Sequence, residues 1–368
     1  MNEIVAILDF QDVISKGGRD VVARHVMYAD KLKEISNQRL SLRVITTSEQ
    51  NLIYSDEQDL FLRLGGDKNS FLGNILALRK FIISNQNIKL IVAGDVFKSG
   101  LQALLSQMFL KRKIPIQFQV HADIGARGWA SFSLANRFKV LVGFIVLKNA
   151  RYVRAVSKRQ SSNLRRFTRK NTVIQIVPVP LNIPKGLNSI TKTQDQFTIG
   201  ILGRIQKDRG IALFDQFVRE TAIDNQLVKF VIAGNGPDDT LMLEIQHRLS
   251  SYANFQNMGF LAGDELAAFW NETDCLLSLA PFESYGRSMR EAVSLGVKVI
   301  STPNSGALDL LDEVGPEWIS LWSPGQELNA GKLIKRMIVS SNGSDSPPRQ
   351  ELIGTEIDLL IQSWRECI

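Results

Sequence analysis

The stretch "DCLLSLAPFESYGRSMREAVSLGVKVIST" runs from Asp274 to Thr302. Its opening, "DCLLSLA", is a short apolar run closed by a proline, which predicts a buried strand. "PFESYG" predicts a loop and "RSMREAVSL" a helix, with Gly296 placed as the glycine that ends it. "VKVIST" predicts the next strand. A strand, a loop, a helix and another strand make one crossover unit of a parallel α/β sheet.

The same alternation runs through the chain. "EIVAILDF", "LSLRVITT", "KLIVAGD", "IPIQFQVHAD" and "RYVRAVS" predict strands in the first half. "KGGRDVVARHVMYADKLKEI", "SFLGNILALRKFIIS", "SGLQALLSQMFLKR" (capped at Ser99), "ASFSLANRFKVLVGFIVLKNA" and "KRQSSNLRRF" predict the helices between and after them. "VIQIVPVPLNIPKGLNSITKTQDQ" reads as a linker, with a hinge near 180–195, because Pro178, Pro180 and Pro184 precede a polar run. The alternation restarts at "FTIGILG" and continues through "VKFVIAG", "DDTLMLEIQHRLSSY" and "NFQNMGF". A chain of 368 residues accommodates two domains. We therefore expect domains at 1–182 and 183–347, and a final helix in 348–368 that packs back on the first.

Composition narrows the class. Hydrophobic residues make up 44% of the chain, enough for two cores. The longest apolar run near the middle, "VLVGFIVL", is far short of the roughly 20 residues that span a bilayer. "MNEIVAILDF" lacks a basic start and reads as a first strand rather than a secretory signal. Cys275 and Cys367 form no metal-binding spacing, so a reducing cytoplasmic location is expected. Charge is uneven. Residues 1–185 hold 29 Lys and Arg against 13 Asp and Glu, whereas residues 186–368 hold 15 against 24. Between Lys98 and Lys170 the only acid is Asp123. Such a basic half suits an anionic membrane surface or nucleic acid. A solvated basic face is the plainer alternative. "LANRFKVLVGFIVLKNARYVR" mixes apolar and cationic residues as interfacial helices do, or as an ordinary core helix can.

Ligands of open parallel sheets bind beyond the C-terminal ends of strands. Three turns there suit an anion. In "LGRIQKDRG", Gly203 allows close approach, and Arg204 and Arg209 can grip a diphosphate, although a loop arginine is more often a solvated surface charge. In "KGGRD", Gly17 and Gly18 can fold over a phosphate, although a plain turn explains them equally well. The third glycine of a dinucleotide fingerprint is absent there, which disfavours a nicotinamide or flavin cofactor. In "PFESYGRSMRE", Gly286 starts a helix whose free N–H groups and dipole invite phosphate. Glu283 and Glu291 stand on either side of it, and could accept hydrogen bonds from sugar hydroxyls at the two ends of a nucleotide sugar. A loop charge and a solvated helix glutamate are the plainer alternative, which explains an arbitrary pair better.

"FESYGRSMREAVSLGVKVISTPNSG" resembles the E-x7-E segment of retaining glycosyltransferases of family 4. "ILGRIQKDRG" is similar to that family's phosphate-binding turn, "VIAGNGP" to its G-x-G-P strand end, and "FQNMGFLAGDELAAFW" to its base-pocket strand and helix. "KGGRD", "QVHAD" and "VRAVSKRQSSNL" resemble its first-domain elements more loosely. The resemblance implies the GT-B fold, two facing Rossmann-like α/β domains with parallel sheets and a cleft between them. It implies transfer of a sugar, with retention, from a UDP- or GDP-sugar to a glycan acceptor. No metal or other cofactor is expected, and no nucleic-acid partner.

The resemblance also implies roles. Arg204 and Arg209 would neutralise the diphosphate, Glu283 would bind the donor sugar and Glu291 the ribose. Gly17, Gly18, Gly203, Tyr285, Gly286, Arg287 and Ser288 would contact phosphate or sugar, and Met258 would line the base pocket. His121 would lie near the anomeric carbon. Five positions depart from the family pattern: Arg209 stands for a lysine, Asn182 for an acid, Lys298 for a proline, Asp309 for a glutamate, and Ser305 for the first glycine of a Gly-Gly pair completed by Gly306. Together with the basic half, the expected setting is a lipid-linked acceptor on the inner face of the plasma membrane, in surface polysaccharide or lipopolysaccharide assembly. The alternatives are a nucleotide-sugar epimerase or hydrolase of the same fold, a glycan phosphorylase, and a non-enzymatic nucleic-acid-binding protein.

Overall fold

A computed structural model describes residues 2–10, 18–46, 60–64, 70–184, 187, 196–206, 209–222, 228–236, 240, 243–245, 247, 254–325, 329–340 and 355–368. The chain divides into two compact units, Met1–Pro178 with Gly354–Ile368, and Val179–Ile353.

Unit 1 runs β1 (Glu3–Asp9), α1 (Gly18–Ile35), β2 (Leu40–Thr46), β3 (Phe61–Arg63), α2 (Phe71–Ser84), β4 (Ile88–Ala93) and α3 (Lys98–Ser106). It continues through β5 (Ile116–Val120), α4 (Leu134–Lys148), β6 (Tyr152–Ala155), α5 (Lys158–Leu164) and β7 (Val173–Ile176). The strands form one sheet in the order β3-β2-β1-β4-β5-β6-β7, every pair parallel. The strands are nearly continuous apolar runs because helices cover both faces of such a sheet. On one face Tyr28, Ala29 and Leu32 of α1 pack with Val5, Ile7, Leu42 and Val92. On the other, α2, α3 and α4 pack in succession.

Unit 2 runs β8 (Phe197–Leu202), α6 (Ile211–Ala222), β9 (Val228–Ala233), β10 (Asn254–Gly259), α7 (Asp264–Glu272), β11 (Cys275–Ser278) and α8 (Arg287–Ser294). It ends with β12 (Lys298–Ser301), α9 (Ser305–Val314), β13 (Ile319–Leu321) and α10 (Ala330–Ser340). Its parallel sheet has the order β10-β9-β8-β11-β12-β13. Two cores sandwich it. Phe214, Phe217 and Trp322 anchor one, and Phe269, Trp270 and Met289 the other. The crossover read from Asp274–Thr302 is present as β11, α8 and β12, with β11 and β12 in parallel register.

The last helix, α11 (Glu356–Arg365), belongs to unit 1. It packs against α1, burying Leu360, Ile361 and Trp364 with Leu32. Gln117 of β5 donates to Ser363 Oγ at 3.0 Å and to Gln175 Oε1 at 2.8 Å, which ties β5, β7 and α11 together.

Three readings need correction. Val173–Ile176, read as linker, is the edge strand β7, since its hydrogen bonds to β6 complete the sheet before the prolines begin. Ser99 does not cap α3. Asp95 reaches that end from outside the helix, its carboxylate accepting from the Ser99 N–H at 3.4 Å, from the Ser99 hydroxyl at 2.5 Å and from the Phe97 N–H at 2.6 Å. The helix also stops at Ser106, well short of Arg112. The helix read at 238–252 and the hinge residues 185–186 and 188–195 lie largely outside the described residues.

Candidate functional site

In unit 2 the ends of β8 and β11 lie side by side, because those strands pair through Cys275 and Leu276. The turn after β8 carries Gly203 and the exposed Arg204, and Arg209 precedes α6. The loop after β11 carries Glu283. The sheet register therefore brings two turns together that are some 70 positions apart in the chain. Arg209 Nη1 reaches Glu283 Oε2 at 2.7 Å, a charge-assisted hydrogen bond between half-buried groups.

Gly286 is the N-cap of α8 and has φ 73°, a left-handed conformation that costs glycine little. No side chain caps this end of the helix. By contrast, Asn304 caps α9, its side chain accepting from Ala307 N–H at 2.9 Å. The first N–H groups of α8 therefore remain available to an anion, and the helix dipole favours one there.

The loop before α8 is held from behind. Glu283 O accepts from Gly306 N–H at 2.7 Å. A side chain at Gly306 would bring its Cβ to 2.7 Å from the Tyr285 carbonyl carbon, so only glycine lets α9 approach so closely. The buried Arg290 donates to Tyr285 O, lies 4.2 Å from the centre of the Tyr285 ring, and forks onto Glu313 at 2.8 and 2.9 Å. Sequence reasoning missed Arg290 and Glu313, and gave Gly306 no role in the site. The one available signal was an arginine placed among the apolar positions of a short helix.

Glu291 is 2% exposed. Its Oε1 accepts from Asn182 N–H at 2.7 Å, and Arg287 Nε lies 3.4 Å away. Burial raises its pKa, while Arg287 and the Asn182 N–H oppose that rise. The position where the family pattern has an acid thus contributes its backbone here. Met258 sits half-buried near the end of β10, against the core that includes Met289 and Ala292. Ser288 is half-buried and Arg287 exposed on the first turn of α8.

His121 and Gly18 lie in unit 1. Gly18 is the first residue of α1, and Gly17 lies outside the described residues. His121 directly follows β5, with Nε2 3.3 Å from Gln119 Oε1. Surrounding protein and then Arg154 push its pKa down. Solvent reaches the ring and limits the depth of that shift. Desolvation and Arg154 both favour neutral imidazole at pH 7, and the solvent exposure of the ring weakens the first.

Residues 183–318 match the family model "Glycosyl transferases group 1". That span lies within unit 2 and resembles a glycosyltransferase domain. A 2-deoxystreptamine glucosyltransferase of Streptomyces kanamyceticus is 29% identical over 140 residues, 38% of this chain and 36% of the relative. The chain thus aligns with only about a third of that relative's length. Two solved structures show the fold over the whole chain. A lipopolysaccharide outer core galactosyltransferase, WaaB, superposes with TM-score 0.68 at 15% identity, covering 99% of this chain and 98% of its own. Anabaena Alr3699/HepE in complex with UDP-glucose gives 0.67 at 15% identity, covering 100% and 98%. The fold is GT-B.

Proposed function

We propose that the protein transfers a sugar, with retention of configuration, from a nucleoside diphosphate sugar to a glycan acceptor. The observation that carries this reading is the uncapped N-terminus of α8 between two carboxylates, Glu283 paired to Arg209 and Glu291 buried beside Asn182. A diphosphate on the α8 N–H groups would place one carboxylate toward the sugar and the other toward the ribose. The match of residues 183–318 to a glycosyltransferase family model and the UDP-glucose held by the Anabaena protein support a nucleotide-sugar donor. GDP in place of UDP fits the same chemistry.

In this reading the bond between C1 and the leaving phosphate oxygen breaks as the acceptor oxygen bonds to C1 on the same face. The acceptor's proton passes to the leaving phosphate, so no separate base is needed. Arg204, Arg209 and the helix N-terminus offset the charge that develops on the diphosphate. They supply that charge without a metal. Gly203, Tyr285, Gly286, Arg287 and Ser288 would contact phosphate or sugar, and Met258 the base. His121, Gly17 and Gly18 would contact the donor, as the family resemblance implies. The neutral, accessible ring of His121 suits a contact with sugar hydroxyls. We further propose a lipid-linked acceptor at the inner face of the plasma membrane, in surface polysaccharide or lipopolysaccharide assembly. The lipopolysaccharide substrate named for WaaB supports that class.

The test is a thermal-shift screen of UDP- and GDP-sugars, followed by NMR of products formed with lipid-linked acceptors in EDTA. A product whose anomeric configuration matches the donor supports the reading. An inverted product overturns retention, and loss of activity in EDTA overturns metal independence. Donor turnover without any acceptor would favour the epimerase or hydrolase alternative.

A further inference from the structure

The α2–α3–α4 face of unit 1 is apolar toward solvent. On α4, Leu134, Phe138, Leu141 and Ile145 are 80, 66, 57 and 44% exposed. Their spacing of four, three and four residues places them in one stripe along the helix. The opposite side of α4 buries Gly143, Val146 and Leu147. The helix is therefore apolar both inward and outward. On α2, Leu72, Leu76 and Ile83 repeat the pattern at 71, 65 and 61%. α3 packs against both helices.

Between α3 and β5, Phe109 is 85% exposed and holds φ 63°, which bulky residues avoid. The turn that presents it is fastened by cations. Arg79 Nη1 donates to Met108 O at 2.6 Å, and Lys113 Nζ donates to Gln107 O. Arg112 reaches Ile88 O at 2.6 Å. A large apolar ring is thus held out on a fixed turn beside Lys111, Arg112 and Lys113.

Charge identifies the occupant. The segment that builds this face, residues 71–148, contains 11 Lys and Arg and two acids, Asp95 and Asp123. Asp123 is buried and Asp95 is engaged at the start of α3. A second copy would set cations against cations. Nucleic acid would find leucine and isoleucine where it needs flat rings to stack on. An anionic bilayer satisfies both parts, its headgroups meeting the cations and its acyl boundary the apolar stripes. No helix among the described residues is long and apolar enough to cross a membrane, so contact would be lateral. We propose that the α2–α3–α4 face is an interfacial membrane-docking surface for anionic lipid, with Phe109 as its inserted tip. The proposal rests on this surface alone and stands whether or not the transfer reading does.

The experiment is co-sedimentation of the full chain with vesicles of phosphatidylcholine alone and of phosphatidylcholine with an equal part of phosphatidylglycerol. Binding should favour the anionic vesicles at least about tenfold and weaken as salt is raised. Phe138→Ser with Leu141→Ser should lower that binding at least about tenfold with unchanged melting temperature, since both side chains face solvent. Phe109→Ser and Arg137→Glu should each lower it separately. Equal recovery from both vesicle types overturns the proposal, as does wild-type binding by all these variants. A dimer in solution that the double variant dissociates would assign the face to self-association instead. Tighter binding to an RNA oligonucleotide than to anionic vesicles would assign it to nucleic acid.

Discussion

Arg209 and Glu283, read separately from the sequence as a phosphate ligand and a sugar ligand, are bonded to each other at 2.7 Å. Each holds the other in place beside the N-terminus of α8, where we propose the donor binds. Glu283→Gln should leave affinity for the free nucleoside diphosphate equal or higher, because it releases Arg209. Transfer should fall about 10- to 150-fold, the worth of a hydrogen bond to a charged group. Calorimetry with the diphosphate beside steady-state rates separates the two effects. A parallel loss in both would show that Glu283 serves mainly to hold Arg209.

Arg204 lies exposed in the turn after β8. Arg204→Ala should therefore leave the melting temperature unchanged while turnover drops about 10²–10³-fold, as when a transition-state donor is removed. A change of only a few-fold would remove Arg204 from the reaction.

Glu291 is a buried carboxylate with a raised pKa. The charged form costs stability above that pKa, and the cost fades as pH falls through it and the folded state takes up a proton. Glu291→Gln should melt higher than wild type at pH 8, and the difference should shrink on acidification. The same variant should bind donor more weakly. Melting curves across pH, with and without donor, test both statements.

Arg290→Ala removes a buried guanidinium that serves Tyr285 and Glu313. It should destabilise the protein by about 2–3 kcal/mol, less than a fully buried pair would cost because Glu313 is partly solvated. Glu313→Ala should cost less. Urea unfolding of both variants gives the comparison.

Gly306→Ala forces a Cβ against the backbone of Tyr285 and Gly286. A cost of about 1–3 kcal/mol follows if the core yields. Because the displaced atoms are the loop itself, donor affinity should suffer even in molecules that remain folded. Isothermal titration below the melting temperature measures this directly.

The alternation of strands and helices was legible because β1, β4, β9 and β11 are dense apolar runs flanked by glycine or polar turns. The short elements were not. β7 lies at a sheet edge and reads like the proline-rich segment that follows it, while β3 and β13 are three residues each. Such strands owe their existence to the neighbour that accepts their hydrogen bonds, which local pattern does not record. In the candidate site, Glu283, Gly286 and Glu291 stood out because two acids flank a glycine at the start of a helix, in the segment that resembles the family 4 motif. Arg290 did not, since its partner Glu313 is 23 positions away and one helix later. The Asn182 contact was equally hidden, because it is made by a backbone N–H that any residue but proline could offer.

The return of α11 to unit 1 has a consequence for the order in which the molecule is made. Residues Val179–Ile353 leave the ribosome as an uninterrupted block, so their sheet can close at once. The face of α1 that awaits Trp364 stays bare throughout that time. Unit 1 begins first and is finished last, and a nascent chain halted before residue 356 would display Tyr28 and Leu32 to whatever chaperone or membrane lies nearby.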